Sequence, residues 1–203
     1  QAMGYDENVF KVMLVQFVSL KRDGEKVSMS TRSGEFETLA DVVKEVGVDA
    51  TRFFFLMRSS DTHLDFDLGL AKKTSADNPV FYIQYAHARI CSIFRTATEQ
   101  GIKLLDSVDI DLSPLKNEEE FVMIKKILSF TEIIEKSAEL LEVHRVPFYL
   151  QDLVGTFHRY YSRNRIISDD HALSFARLFL MNCLRVTICN GLSIMGVSSP
   201  ERM

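Results

Sequence analysis

Cysteine is scarce in this chain: Cys91, Cys183 and Cys189 are the only three among 203 residues. They are too few and too scattered for a disulfide framework, and none forms a Cys-x-x-Cys pair for zinc. Each stands in an apolar helical context, so reduced core thiols are expected. Long hydrophobic runs are also lacking. No stretch of about 18 uninterrupted apolar residues occurs, which predicts no membrane span, and no signal-peptide pattern opens the chain. A soluble, cytoplasmic protein is expected. Basic excess is missing too: the net charge is −4, which excludes a general nucleic-acid coat but not a local basic face. The histidines His63, His87, His144, His158 and His171 are dispersed without metal-ligand spacing, so no metal site is predicted.

What is present is an ordinary globular composition, with 46% apolar and 26% charged residues, long enough to bury a core. Lys11 to Leu20, KVMLVQFVSL, is apolar on both strand faces, as in a buried parallel sheet. Parallel pairing needs a crossover of a dozen or more residues, so its partners are expected to lie outside these residues. Asp23-Gly24 supplies a two-residue hairpin turn. Thr38 and Asp41 resemble a cap, with Gly47 ending the short helix, and a second helix begins near Asp49. Leu64, Phe66 and Leu68 alternate with Asp65 and Asp67 as in a half-buried strand.

From Pro79 onward the signals are helical. Asn78-Pro79 opens and Gly101 ends a helix of about six turns, with Ile83, Ile90 and Phe94 on one face and Phe81, Tyr85, Ala88 and Cys91 on another, so it is expected to be central. Asn117 and Glu120 form a capping box for a helix carrying Phe121, Ile124, Leu128, Ile134, Ala138 and Leu141 at helical spacing. The acidic run Glu118 to Glu120 is read as solvated. Pro147 starts another helix. Ser168, Asp169 and Asp170 start the last, which Asn190-Gly191 is expected to end. His87 is read as a hydrogen-bonded packing residue.

Five stretches of the chain carry a family resemblance. Asn78 to Arg89, NPVFYIQYAHAR, resembles the opening of the anticodon-binding domain of arginyl-tRNA synthetases. Ser28-Met29-Ser30-Thr31-Arg32-Ser33-Gly34 resembles that family's form of the second class I signature, and Met57-Arg58-Ser59-Ser60-Asp61, Leu64 to Asp67 and Pro200 to Met203 also fit. The first class I signature, a His-x-Gly-His loop, does not occur. The resemblance implies a mainly α chain: a helical-bundle anticodon-binding domain preceded by a small α/β remnant of a class I nucleotide-binding catalytic domain. Residues 1–34 would end that catalytic domain, 35–77 form a stem-contact connector, and 78–203 form the anticodon-binding domain.

The function implied is that of the C-terminal part of an arginine-tRNA ligase, which joins L-arginine to its tRNA through an arginyl-adenylate with ATP and Mg2+. The fragment alone is expected to be inactive and to serve chiefly in binding arginine tRNA. Ser30, Thr31 and Arg32 would act catalytically, and with Lys26, Ser28 and Met29 would hold ATP phosphates, hydroxyls and guanidinium bonding phosphate oxygens. Both lysines of the general Lys-Met-Ser-Lys-Ser form are absent here.

The run Phe157 to Arg165, FHRYYSRNR, interleaves arginines with aromatic rings, the combination that neutralises phosphates and stacks splayed bases. His158, Tyr160, Tyr161, Arg163 and Arg165, together with Tyr85, Arg89 and Met203, are the expected tRNA contacts. Against this, Leu150, Val154, Phe157 and Tyr161 share one helical face, which suits a core role. The alternative is a non-catalytic helical module binding RNA or protein.

Overall fold

Strand β1 (Val18–Arg22) forms the middle of a three-stranded sheet, turning back through Gly24 into β2 (Glu25–Lys26). The pair is antiparallel with Arg22 opposite Glu25, the register a two-residue hairpin gives, and Gly24 has φ +85°, a conformation costly for any residue with a side chain. The computed structural model describes residues 4, 6, 12–22, 24–27, 37–102 and 110–203. Two helices follow, α1 (Leu39–Val46) and α2 (Val48–Leu56), then β3 (Leu64–Asp67) and α3 (Leu68–Lys72). The remainder is helical: α4 (Pro79–Glu99), α5 (Glu118–Leu128), α6 (Phe130–Leu140), α7 (Arg145–Arg163) and α8 (His171–Ile194). The chain is thus mainly α with a small sheet, as expected.

The parallel partner of β1 lies within the chain, contrary to expectation. β3 pairs with it in parallel, Val18 opposite Leu64 and Leu20 opposite Phe66, and the intervening α1 and α2 provide the crossover that parallel pairing demands. The expected strand is also shorter. Val12, Met13, Leu14, Val15 and Phe17 are exposed, and only from Val18 onward does the chain enter the sheet. The half-buried reading of β3 is met: Leu64 and Phe66 are buried, while Asp65 faces outward and pairs with Lys21 at 2.7 Å.

Local chemistry explains most helix ends. Thr38 accepts from the Asp41 N–H while Asp41 accepts from the Thr38 N–H, a reciprocal capping box. Asp67 caps α3 by accepting from the Leu70 N–H at 3.0 Å. Asn78 does more than cap α4. Its side-chain oxygen accepts from Val80 N–H, and its amide donates to the carbonyls of Ala71 and Lys73, both at 2.9 Å, which docks α3 against the start of α4.

Helix α4 is central, as expected. It packs against α2, α7 and α8, and Ile83, Ala86 and Ile90 are fully buried. Leu150, Leu153, Val154 and Phe157 of α7 meet the same core as Leu178, Met181, Leu184, Ile188 and Leu192 of α8, each such side chain contributing about 1.5–3 kcal/mol of burial. Among the described residues α8 is the one helix long and apolar enough to suit a membrane crossing; here it packs on α4, α5 and α7. The three cysteines are unbridged.

Three helical expectations change. The single helix expected over residues 117 to 141 breaks at Ser129, whose hydroxyl donates to the Lys126 carbonyl at 2.8 Å, a local competition with the helix ladder. Phe121 and Leu128 consequently face solvent, and Met123 is the buried residue. Asn190-Gly191 does not end α8, which runs on to Ile194 and stops at Gly196 with φ +66°. Gly191 is instead a packing notch: a Cβ there would lie 2.8 Å from Leu150 Cδ2. Glu120, expected in solvent, is fully buried.

Candidate nucleic-acid interface

Of the expected ATP contacts, Ser28, Met29, Ser30, Thr31 and Arg32 lie outside the described residues. Lys26 is exposed on β2, opposite Lys21. Among the described residues no group of His, Cys, Asp or Glu is placed to hold a metal ion.

The expected tRNA contacts on α4 and α7 come together. Tyr82, Tyr85 and Arg89 recur at helical spacing on α4 and meet His158 and Tyr161 of α7. The Arg89 guanidinium lies 4.8 Å from the Tyr85 ring centre and 5.1 Å from that of Tyr161, and it donates to the Tyr85 hydroxyl. Two π faces therefore hold this cation in place of a carboxylate. The His158 ring is 4.5 Å from Tyr82 and 6.1 Å from Tyr85. Burial lowers its pKa below the ordinary histidine value, the Arg89 charge adds to the effect, and the Tyr82 main chain opposes it. His158 is thus held neutral, with a buried Nε2 that has no partner.

Tyr160 does not belong to this group. It is fully buried, and its hydroxyl donates to Glu120 Oε1 at 2.6 Å, so the ring cannot meet RNA. The helical phase explains the error: one position before the half-buried Tyr161, Tyr160 turns toward α5. Arg163 is exposed but pairs with Glu119 at 3.1 Å. Arg165 is exposed, with a guanidinium that has no partner among the described residues. Met203 is exposed at the chain end.

A second basic feature escaped the sequence reading because no short motif contains it. A cleft of about 560 Å³ is lined by Cys91, Phe94 and Arg95 of α4, Arg185 of α8, and Glu201 and Arg202 of the C-terminal segment. Arg95 donates to the Glu201 carbonyl at 3.2 Å, and Arg185 donates to Asn182 Oδ1 at 3.0 and 3.3 Å. Arg202 has no hydrogen-bond or ion-pair partner among the described residues. Among the described residues none of these three guanidiniums pairs with a carboxylate, whereas Arg22, Arg145, Arg163 and Arg177 all do.

A smaller groove of about 360 Å³ is lined by Ser92, Thr96, Tyr161, Asn164, Arg165 and Ile167, among others. Ser92, Thr96 and Glu99 are exposed at i, i+4 and i+7, one stripe of a helix. The first two border the groove and Glu99 borders the cleft. This stripe of α4 is therefore a ridge with Tyr161 and Arg165 on one side and Arg95, Arg185 and Arg202 on the other.

Arginine–tRNA ligases from Syntrophotalea carbinolica and Geobacter sp. strain M21 are 52% and 54% identical over 98% and 100% of this chain. The chain spans 36% and 37% of their lengths. A solved structure from Campylobacter jejuni, provisionally assigned as an arginyl-tRNA synthetase, is 33% identical with TM-score 0.85, covering 99% of this chain and 43% of that one. The Thermus thermophilus arginyl-tRNA synthetase shares the fold, with TM-score 0.70 over 91% of this chain and 34% of that one, at 24% identity. Residues 83–203 match the model of the DALR anticodon binding domain, and the chain belongs to that family.

Proposed function

We propose that this chain binds the anticodon loop of arginine tRNA, as the C-terminal part of a longer arginine–tRNA ligase that acts in the cytoplasm on L-arginine, ATP and tRNA, with Mg2+. The ridge of α4 between two grooves carries this reading. An anticodon loop presents splayed bases and closely spaced phosphates, and it is met by π faces and unpaired cations. Tyr161 and Arg165 offer these on one side of the ridge, and three guanidiniums without carboxylate partners offer the charge on the other. In a protein of net charge −4, three guanidiniums without carboxylate partners among the described residues share one cleft.

In this reading residues 78–203 form the anticodon-binding unit, 35–77 a connector, and 1–34 the end of a catalytic domain. Lys26, Ser28, Met29, Ser30, Thr31 and Arg32 would face ATP phosphates when the rest of the ligase is present. Tyr85 and Arg89 brace Tyr161 through the cation–π contacts, so their part in RNA binding is to orient that ring. The test is fluorescence anisotropy with a labelled anticodon stem-loop of arginine tRNA. Tighter binding of this RNA than of a stem-loop carrying a different anticodon is expected, and equal binding of both by the folded chain rejects the proposal.

A further inference from the structure

Beyond Gly196 the chain leaves α8 and runs as an irregular strap to Met203, held mainly by side chains of other elements. Ser198 donates its N–H to Asp49 Oδ1 at 3.1 Å and its hydroxyl to Asp49 Oδ2. Gln84 Nε2 donates both to Asp49 Oδ2 at 2.8 Å and to the Ser198 carbonyl at 3.0 Å. His87 Nδ1 contacts the Pro200 carbonyl at 2.9 Å, and Arg95 Nη1 donates to the Glu201 carbonyl at 3.2 Å. Gln84, His87 and Arg95 lie on one face of α4, so this helix grips successive carbonyls of the strap in order along its length. Pro200, which has no N–H to satisfy, suits a segment held by its carbonyls.

Asp49 differs from the other holders. It belongs to α2, in the connector, and its carboxylate is the one charged acceptor that the strap's own donors reach among the described residues. It also fixes the Gln84 amide, so one carboxylate orders both the strap and the first side chain that grips it. Arg202 stands just past the last gripped carbonyl, and its guanidinium has no hydrogen-bond or ion-pair partner among the described residues. Its place at the cleft is therefore set by how the strap is held.

We infer that Asp49 is a positioning residue for the RNA-facing end of the chain: by anchoring Ser198 and Gln84 it holds the strap so that Arg202 lines the cleft beside Arg95 and Arg185. The inference rests on the tRNA reading above and assigns to the connector a part in RNA binding without any contact to RNA. A purely structural role is the rival, since an aspartate in the first turn of α2 also favours the positive end of that helix.

A double-mutant cycle on the 203-residue chain separates the two. Binding of the arginine anticodon stem-loop is titrated across a salt series for the unaltered chain, Asp49→Asn, Arg202→Ala and the double variant, with thermal unfolding of each. Ser198→Ala, on the exposed strap, repeats the test from the other end of the contact without touching α2. Arg202→Ala is expected to weaken binding about tenfold and to lower the salt slope by about 0.7, the value for one phosphate on a single strand. Asp49→Asn and Ser198→Ala should shift affinity and slope in the same direction, and the double variant should match Arg202→Ala alone, because a released Arg202 has nothing further to lose. Multiplying losses in the double variant overturn the inference, as does a lowered melting temperature in Asp49→Asn with affinity and slope intact. Wild-type binding by Arg202→Ala also overturns it while leaving the tRNA reading standing. That reading itself fails only if the unaltered chain shows no preference for the arginine stem-loop.

Discussion

Tyr160 donates its hydroxyl hydrogen to Glu120 Oε1 at 2.6 Å, joining α7 to α5 where both side chains are fully buried. Arg177 of α8 reaches the same oxygen at 2.8 Å, and Glu120 Oε2 accepts from the Asn117 N–H at 3.0 Å. One carboxylate thus closes the α5 capping box and ties three helices together. Burial, followed by the Glu120 hydrogen bond and charge, pushes the Tyr160 hydroxyl well above the ordinary tyrosine range. Tyr160→Phe should cost roughly 1.5–3 kcal/mol, the value of a hydrogen bond to a charged group, and Glu120→Ala about 3–5 kcal/mol, since it leaves Arg177 without its counter-charge. Urea unfolding measures both. RNA affinity of folded Tyr160→Phe should be unchanged; a loss there would return Tyr160 to the interface.

Two glycines within helices should respond to alanine in opposite ways. At Gly191 the new methyl would meet Leu150 Cδ2, Cδ1 and Cγ at 2.8, 3.0 and 3.2 Å. Leu150 is fully buried in the core, where close packing resists displacement. Overpacking of about 1–3 kcal/mol should outweigh the helix gain of about 0.8–1 kcal/mol, for a net loss. At Gly155 the nearest atoms are Arg159 Nη1 at 3.8 Å and Tyr82 Oη at 3.9 Å, ordinary contact distances, so Gly155→Ala should stabilise by up to about 1 kcal/mol. Denaturant midpoints of the two variants moving the same way would contradict this packing.

The arginines near the proposed RNA face should not be equivalent. Arg95 and Arg185 have no carboxylate partner among the described residues, so each alanine variant should weaken stem-loop binding about tenfold. Arg163 is already engaged by Glu119, an exposed bridge worth at most about 1 kcal/mol, and its removal should change affinity no more than about twofold. Anisotropy titrations at two salt concentrations rank them. A larger effect at Arg163 than at Arg95 would shift the binding face from the ridge of α4 to the end of α7.

Acidification should expose His158. Its folded-state pKa lies below the unfolded value, so the unfolded chain takes up the proton more readily and stability rises with pH across this window. The contribution is fully present above about pH 6.5 and is lost as the pH falls from there toward the lowered value. Asp41, Glu45, Asp61, Asp65 and Asp111 also have depressed pKa values, but their contributions are lost as the pH falls from about 4.5 downward. Between pH 7.5 and 5 the unaltered chain should therefore lose stability, and His158→Phe should lose less. Parallel pH profiles for the two proteins would assign the loss elsewhere.

Features that depend on neighbours a few residues apart were legible from the chain alone. The capping pairs Thr38 with Asp41 and Asn117 with Glu120, the Asn78-Pro79 helix start, the hairpin at Gly24 and the alternation from Leu64 to Phe66 are of this kind, because the groups that satisfy one another are adjacent in sequence. Family resemblance added the expectation of an RNA partner. Tertiary packing decided the rest. Whether β1 had a parallel partner depended on β3, more than forty residues away. Whether Glu120 was solvated depended on Tyr160 and Arg177 from two other helices, and whether Gly191 stopped a helix or admitted one depended on Leu150. The basic cleft is the clearest case: Arg95, Arg185 and Arg202 share no local pattern; the packing of α8 on α4 sets the first two side by side, and Arg202 joins them at the end of a segment bonded to Asp49, Gln84 and His87.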